Sequence, residues 1–486
     1  MKRLVVIIFI ILGAFLTFSL YRTFAYDTSV VEEVPSTTDL EYTFKIGNSS
    51  IKQITVDSGE TRYYDIVLGN PNNAKISYGV YYEMVSPSSK LNDFSIEYTS
   101  KSTGESTGKV DKEGNITLNL VVTNTSSSAV TVKLGTVAGY VNGGELTLES
   151  GQIMIPQQTA TSYVKSLNDE STGENGNGVY RVTHSAIPAS SSATGEIIEE
   201  TNDYRYYGPS PSNYVCLDME GQDTCPERNL YRIIGSIYEE LEGENRLKVI
   251  KATPLEDKDN NGFSWGHTDK YSSNVWVTIN EDGHLTKSVR KLLNTGDYWN
   301  DTNDFEGYGL TEKIKKHISL SRYYLGGVGT SITDILYNEE RGTNNVYDDV
   351  PLFWDGMIGL MYPSDYGYAA GKNCATNISL SGYSRSCCVI DWLSNSCGWQ
   401  WLMSPGVDSS SSTPHINFLS KRGDFTEDYY INGLDPSSTT RKCAVNINRN
   451  ARSLDDYGYV FPTFYLTSTT VIAGGIGSKD DPYVIK

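Results

Sequence analysis

Asp391-Trp-Leu-Ser-Asn-Ser-Cys-Gly-Trp-Gln-Trp-Leu-Met-Ser-Pro405 places three of the chain's seven tryptophans in one short stretch. The strand-like Gly458-Tyr-Val-Phe-Pro-Thr-Phe-Tyr-Leu466 follows after a long, loop-rich insertion. Large aromatics each bury well over about 100 Å² and dominate the core they enter. These two stretches are therefore expected at the centre of a C-terminal domain.

Working outward, 486 residues exceed what one hydrophobic core organises, so two or more domains are expected. Charged residues make up 20% of the chain and the net charge is −19. No basic patch stands out to neutralise phosphate, which argues against a nucleic-acid partner. With 35 tyrosines, 44 glycines and little helical periodicity, the composition points to a mainly β chain with an α+β C-terminal part.

Lys2-Arg3 precede an apolar run from Leu4 to Leu20, and small residues lead up to Ala25. Residues 1–25 thus read as a signal peptide cleaved after Ala25 or as a membrane anchor. As a helix the apolar run reaches roughly 25 Å, enough for a short span. Either reading puts the remainder outside the cell, on the extracellular face of the membrane or secreted. Residues 40–156 alternate apolar and polar positions over Leu40–Ile46, Ile51–Val56, Tyr63–Leu68, Lys75–Met84, Phe94–Tyr98, Ile116–Thr123 and Ala129–Val141, with turn-forming segments between. Seven such strands predict a β-sandwich, immunoglobulin-like or jelly-roll, serving as a stalk or as an adhesive, polymerising module. Residues 157–203 are rich in small and polar residues and read as a flexible linker, with one short strand around Val179–Thr183.

The second domain is expected over 204–486. Asn229–Ile237 and Arg246–Ala252 read as a hairpin across the acidic turn Glu239–Glu244, whereas Thr286–Asn294 and Thr311–Ile318 have helical spacing, with Thr311 a candidate N-cap. From Asp349 to Pro482 the pattern is short strands and loops. On an exported chain the seven cysteines read as disulfides. Cys216 with Cys225 would close a short loop, and Cys374 can meet Cys387 or Cys388. Cys397 can meet the other of these or Cys443, and one thiol is left over.

Arg205–Tyr214 leading into Asn229–Gly235, then Ile358–Ala369, Trp401–Pro405, Val460–Leu466 and Gly474–Tyr483 form an ordered set of phrases. The set resembles one found in exported surface proteins of Gram-positive gut bacteria. Its order resembles a C-type-lectin-like or formylglycine-generating-enzyme-like domain. The resemblance implies a sheet in which first and last strands pair, and a long loop region forming the binding face. Phe461 stands where such proteins often carry Arg, so no ligand role is carried over to that position.

Candidate sites are few. Asp257, Asp259 and Asn261 follow the first half of an EF-hand loop and are the candidate ligands for Ca²⁺, the one cofactor the chain suggests. The closing position holds Thr268, so the segment also reads as an Asx-rich turn. Trp299-Asn-Asp301 matches a calcium-ligand tripeptide of C-type lectins but lacks its companion and reads as coincidence. Trp401, Tyr429, Tyr430, Tyr457 and Tyr459 make a candidate aromatic platform for a surface glycan or protein. Trp401 and its neighbour Trp399 also read as core. No zinc-protease helix, nucleophile elbow or phosphate-cradling loop occurs, and thiol chemistry at Cys387-Cys388 competes with a structural role for that pair. The expected function is ligand recognition at the cell surface. A surface-fibre subunit and an enzyme of the formylglycine-generating type are the alternatives.

Overall fold

The computed structural model describes residues 43–46, 52–88, 91–100, 108–141, 146–168, 178–255, 263–264, 289–326, 332–343, 351–380, 383, 387, 391–393, 399–406, 415–420, 452–453 and 457–485. The described chain is mainly β, with several antiparallel sheets, and it divides into two compact units at Pro156/Gln157. The N-terminal segment expected as a leader or anchor lies outside the described residues. Among the described residues no helix is long and apolar enough to cross a membrane.

The first unit contains β1 (Thr43–Ile46), β2 (Gln53–Val56), β3 (Thr61–Gly69), β4 (Ile76–Ser86), β5 (Phe94–Ser100), β6 (Lys109–Val110), β7 (Asn115–Asn124), β8 (Val130–Tyr140) and β9 (Ile153–Met154). The two-residue period of strand side chains sends Ile116, Leu118, Leu120 and Val122 of β7 inward and the residues between them outward. One sheet runs β1-β3-β7-β5 and the other β2-β8-β4-β6, with β9 on β4. Their inward residues, among them Ile66, Val80, Leu118 and Leu134, merge in one core. All seven strands expected from alternation are present, and the two-residue strands β6 and β9 are too short to show a period.

Two buried asparagines organise the turns of this unit with the same bonding pattern. Asn70 Oδ1 accepts from Asn72 N at 3.0 Å, while Nδ2 donates to the carbonyls of Ala74, Val110 and Asp111. Asn124 Oδ1 accepts from Ser126 N at 3.1 Å, while Nδ2 donates to the carbonyls of Val56, Asp57 and Ser128. In each case one amide closes an Asx turn and ties it to a neighbouring segment.

The second unit is built on an eight-stranded sheet. Its first strands are β10 (Val179–His184), β11 (Thr201–Tyr206), β12 (Tyr214–Cys216), β13 (Leu230–Glu239) and β14 (Glu244–Lys251). Then come β15 (Phe263–Ser264), β16 (Ser321–Tyr324), β17 (Phe353–Gly356), β18 (Trp399–Gly406), β19 (His415–Ser420), β20 (Arg452–Ser453), β21 (Tyr457–Gly458), β22 (Thr463–Tyr465), β23 (Ile472–Gly474) and β24 (Tyr483–Ile485). The long strand β13 pairs with β11 and β12 along one edge and with β14 along the other, and β22 adds to β14. The two segments expected to lie side by side, Asn229–Ile237 and Val460–Leu466, therefore share a sheet with β14 between them. β24 joins β12 in parallel, and β23 closes that edge.

The expectation of a flexible linker over 157–203 is corrected for residues 157–168 and 178–203, while 169–177 lie outside the described residues. Thr159 caps a helix, Ala160–Ser166, by accepting from Ser162 N, and that helix buries Ala160 and Val164. β10 pairs with β11 over six residues. Scattered apolar residues such as Val179, Ile187 and Ile198 suffice to order the described parts because they enter a core that the rest of the unit supplies.

The hairpin and the Thr311 cap stand where the sequence placed them: Thr311 Oγ1 accepts from Ile314 N at 3.2 Å. Short helices at Thr333–Glu340, Pro363–Ala369 and Lys372–Asn377 add to the expected elements.

Replacing Asn124 with Leu is expected to destabilise the first unit by about 2–4 kcal/mol, because three carbonyls lose one shared donor. Urea unfolding followed by a probe in that unit reads it, and an unchanged midpoint would count against the clamp.

Candidate functional site

The register of the eight-stranded sheet lines up one row across five strands: Tyr180 on β10, Arg205 on β11, Gly235 on β13, Lys248 on β14 and Tyr465 on β22. Directly paired residues project from the same face of a sheet. Gly235 lies between the two cations, and a Cβ there would sit 2.5 Å from the Tyr204 carbonyl oxygen. One carboxylate joins them. Asp365, in the helix Pro363–Ala369, accepts from Arg205 Nη1 at 2.8 Å and from Lys248 Nζ at 2.6 Å, and also from Tyr362 N at 2.9 Å.

The chain of charges continues along β11. Asp203 accepts from Arg205 Nη2 at 2.7 Å, bonds His184 Nε2 at 2.8 Å, and accepts Tyr238 N at 2.9 Å. Asp203, Arg205, Lys248 and Asp365 are each at most 1% exposed. Burial alone would raise both carboxyls, but Arg205 and His184 hold Asp203 well below its usual value, and Lys248 and Arg205 do the same for Asp365. Burial lowers Lys248 and His184, with their carboxylate partners pulling the other way.

This network braces one wall of a cleft of about 290 Å³. Tyr180, Val182, Tyr368 and Ala375 form its apolar side, and Asn168, Arg181, Thr183, Asp334, Lys372 and Thr376 its polar side. Tyr368 is fixed from three directions: the Arg205 guanidinium lies 4.7 Å over its ring, its backbone carbonyl accepts from Tyr180 OH at 2.8 Å, and its own OH donates to Asp334 Oδ1 at 2.9 Å. His184 stacks on Tyr337, with ring centroids 3.6 Å apart, and meets Tyr368 edge-on.

In comparisons with family models, curated proteins and solved structures, none matches this chain. The site is therefore read from its own chemistry. The strongly ionised groups are sealed behind the wall, and the polar lining of the cleft is a carboxylate, an ammonium, a guanidinium, an amide and hydroxyls, with the rings of Tyr180 and Tyr368 buried. That is the make-up of a recognition site.

The residues singled out from sequence fall elsewhere. Trp401 is 1% exposed and belongs to the core, so its assignment as a ligand contact is corrected. Tyr459 is half-buried against the same core. Tyr457 enters β21 opposite Ser264, and its side chain lies outside the described residues, as do Tyr429 and Tyr430. The candidate Ca²⁺ ligands Asp257, Asp259 and Asn261 lie outside the described residues too, and among the described residues no cluster of His, Cys, Asp or Glu is arranged to hold a metal ion. Trp299-Asn300-Asp301 ends a short helix. Asn300 Nδ2 donates to the carbonyls of Thr295 and Gly296, and Asp301, in the left-handed region, accepts from Gly309 N.

Cys216 is bonded to Cys225 and Cys374 to Cys387. Thiol chemistry at Cys387 is thereby removed, while Cys388, Cys397 and Cys443 lie outside the described residues. Sequence reasoning missed the cleft because Asn168, Tyr180, Asp334 and Lys372 form no local motif. The one available signal was the polar, aromatic strand Val179–His184.

Arg205→Met, which keeps the bulk but strands Asp203 and Asp365 without their cation, is expected to cost about 3–5 kcal/mol. An unfolding midpoint equal to that of the parent would refute the bracing role. Glu340, buried and accepting from Ser364 N at 3.0 Å and from Ser364 Oγ at 2.6 Å, is pushed up to about 7 by burial, against the pull of Arg341 and Ser364. A raised folded-state value means that this stabilisation is full below the ordinary 4.5 and is lost as pH rises through about 7. Glu340→Gln removes that dependence and leaves His184 untouched. Between those two pH values the parent is expected to lose on the order of 3 kcal/mol relative to the variant, and parallel stability–pH curves would contradict this.

Proposed function

We propose that the protein is an exported cell-surface recognition protein. Its first unit, of immunoglobulin-like or jelly-roll type, is a stalk. Its second, lectin-like unit carries the ligand site, and the N-terminal segment directs the chain to the membrane or through it. One observation carries the reading. The 290 Å³ cleft presents Asp334, Lys372 and Thr183 around rigid tyrosine walls, while the reactive-looking ions Asp203, Arg205, Lys248 and Asp365 are closed off behind it. A site that did chemistry would bring at least one such group to the substrate. Here they hold the wall in place. The parallel pairing of β24 with β12 supports the lectin-like assignment, since it brings a late strand beside an early one in the unit's main sheet.

Full-length protein applied to printed glycan and peptide arrays is expected to select a restricted set of features. Asp334→Asn, which keeps an acceptor for Tyr368 OH, and Lys372→Ala are each expected to weaken that capture at least about tenfold, the loss of one charged hydrogen bond. Capture that both variants retain in full would move the function away from this cleft.

A further inference from the structure

The cleft contains an acceptor that packing does not explain. Asn168 lies just beyond the helix Ala160–Ser166, is 6% exposed, and lines the cleft. Its Oδ1 has no hydrogen-bond partner among the described residues. A buried amide oxygen left without a donor is costly, and native proteins keep few of them. A ligand that brings a donor removes that cost.

The remaining groups narrow what the ligand is. Asp334 adds a second acceptor, carrying a negative charge. Tyr180 and Tyr368 are buried and back the cleft as an apolar wall, with the Arg205 guanidinium already over the Tyr368 ring. Lys372 is exposed at the same cleft and makes no ion pair among the described residues, an unmatched positive charge on a chain of net charge −19. A neutral polyol satisfies the acceptors and can accept from Lys372, but it brings no negative charge to the ammonium. An inorganic anion matches Lys372, leaves Asn168 without a donor and lies against Asp334. A molecule with an ammonium at one end and a carboxylate at the other satisfies all three groups. The volume, about 290 Å³, is at the small end for ligand sites, which run from roughly 300 to 1,000 Å³. That size suits a single small metabolite.

We propose that this cleft binds a free α-amino acid, with its ammonium on Asn168 Oδ1 and Asp334 and its carboxylate on Lys372. The proposal rests on reading the cleft as a recognition site. It differs from the aromatic glycan platform expected around Trp401, because the specificity lies in the charged and amide groups of one cleft rather than in aromatic faces.

Isothermal titration of the full-length protein with glycine, L-alanine, L-glutamate and L-lysine tests it, with the N-acetyl and amide derivatives of each, glucose and inorganic phosphate as comparisons. At least one free amino acid is expected to bind, and capping either end is expected to weaken it at least tenfold. Lys372→Gln, an exposed substitution, and Asn168→Leu are expected to weaken it by as much, whereas Asn168→Asp, which keeps an acceptor in place, retains binding. Absence of binding by every free amino acid, equal binding of the capped derivatives, or an unaffected Lys372→Gln protein would each overturn the proposal. If the arrays still capture ligand in an Asp334-dependent way while amino acids do not bind, the ligand class alone is wrong. If amino acids bind as described and the arrays capture nothing, surface recognition is wrong and the ligand class stands.

Discussion

Asp365 between Arg205 and Lys248 is the contact on which the second unit depends. Two cations rise from the same row of the sheet on either side of a glycine, and a single carboxylate on a covering helix satisfies both. Removing such charges from water costs about as much as their attraction returns, so the arrangement adds little to net stability. What it adds is position. The helix Pro363–Ala369 can meet the sheet only where Asp365 reaches both partners, and that placement carries Tyr368 to the cleft wall and Ser364 to Glu340.

The two units illustrate different ways of ordering a β-rich chain. The first relies on alternation: inward aliphatic residues from two sheets fill one core, and two asparagine amides tie the turns. The second uses buried polar groups throughout. Besides the ion chain, Glu239 accepts the backbone N–H groups of Leu241, Glu242 and Arg322, and the Arg341 guanidinium lies 3.5 Å over the ring of Tyr337. Networks of this kind specify one arrangement because every half-satisfied alternative is expensive.

These differences explain what could be read from the sequence. The strands of the first unit, the hairpin β13–β14 and the Thr311 cap were legible, because period-two alternation and capping are local signals. The helix Pro363-Ser-Asp-Tyr-Gly-Tyr-Ala369 was not: all seven residues are buried, so it has no polar stripe, and its stop-and-start chemistry resembles a turn. Residues 157–168 and 178–203 were misread because composition weighs a segment alone, whereas Val164, Val179 and Tyr180 are buried by partners far along the chain. The cleft was hidden for the same reason: Asn168 and Lys372 stand about two hundred positions apart, and an unpartnered buried amide becomes visible only in three dimensions.

The parallel pairing of β24 with β12 and the antiparallel pairing of β22 with β14 have a kinetic consequence. As the polypeptide emerges from the ribosome, β12 and β14 are available more than two hundred positions before β24 and β22, the late strands that pair with them. During that interval the hairpin carries unpaired backbone edges, the kind of surface on which nascent chains associate wrongly. Contacts of such long sequence separation also form slowly. Completion of this sheet thus waits until the last strands of the chain have been made.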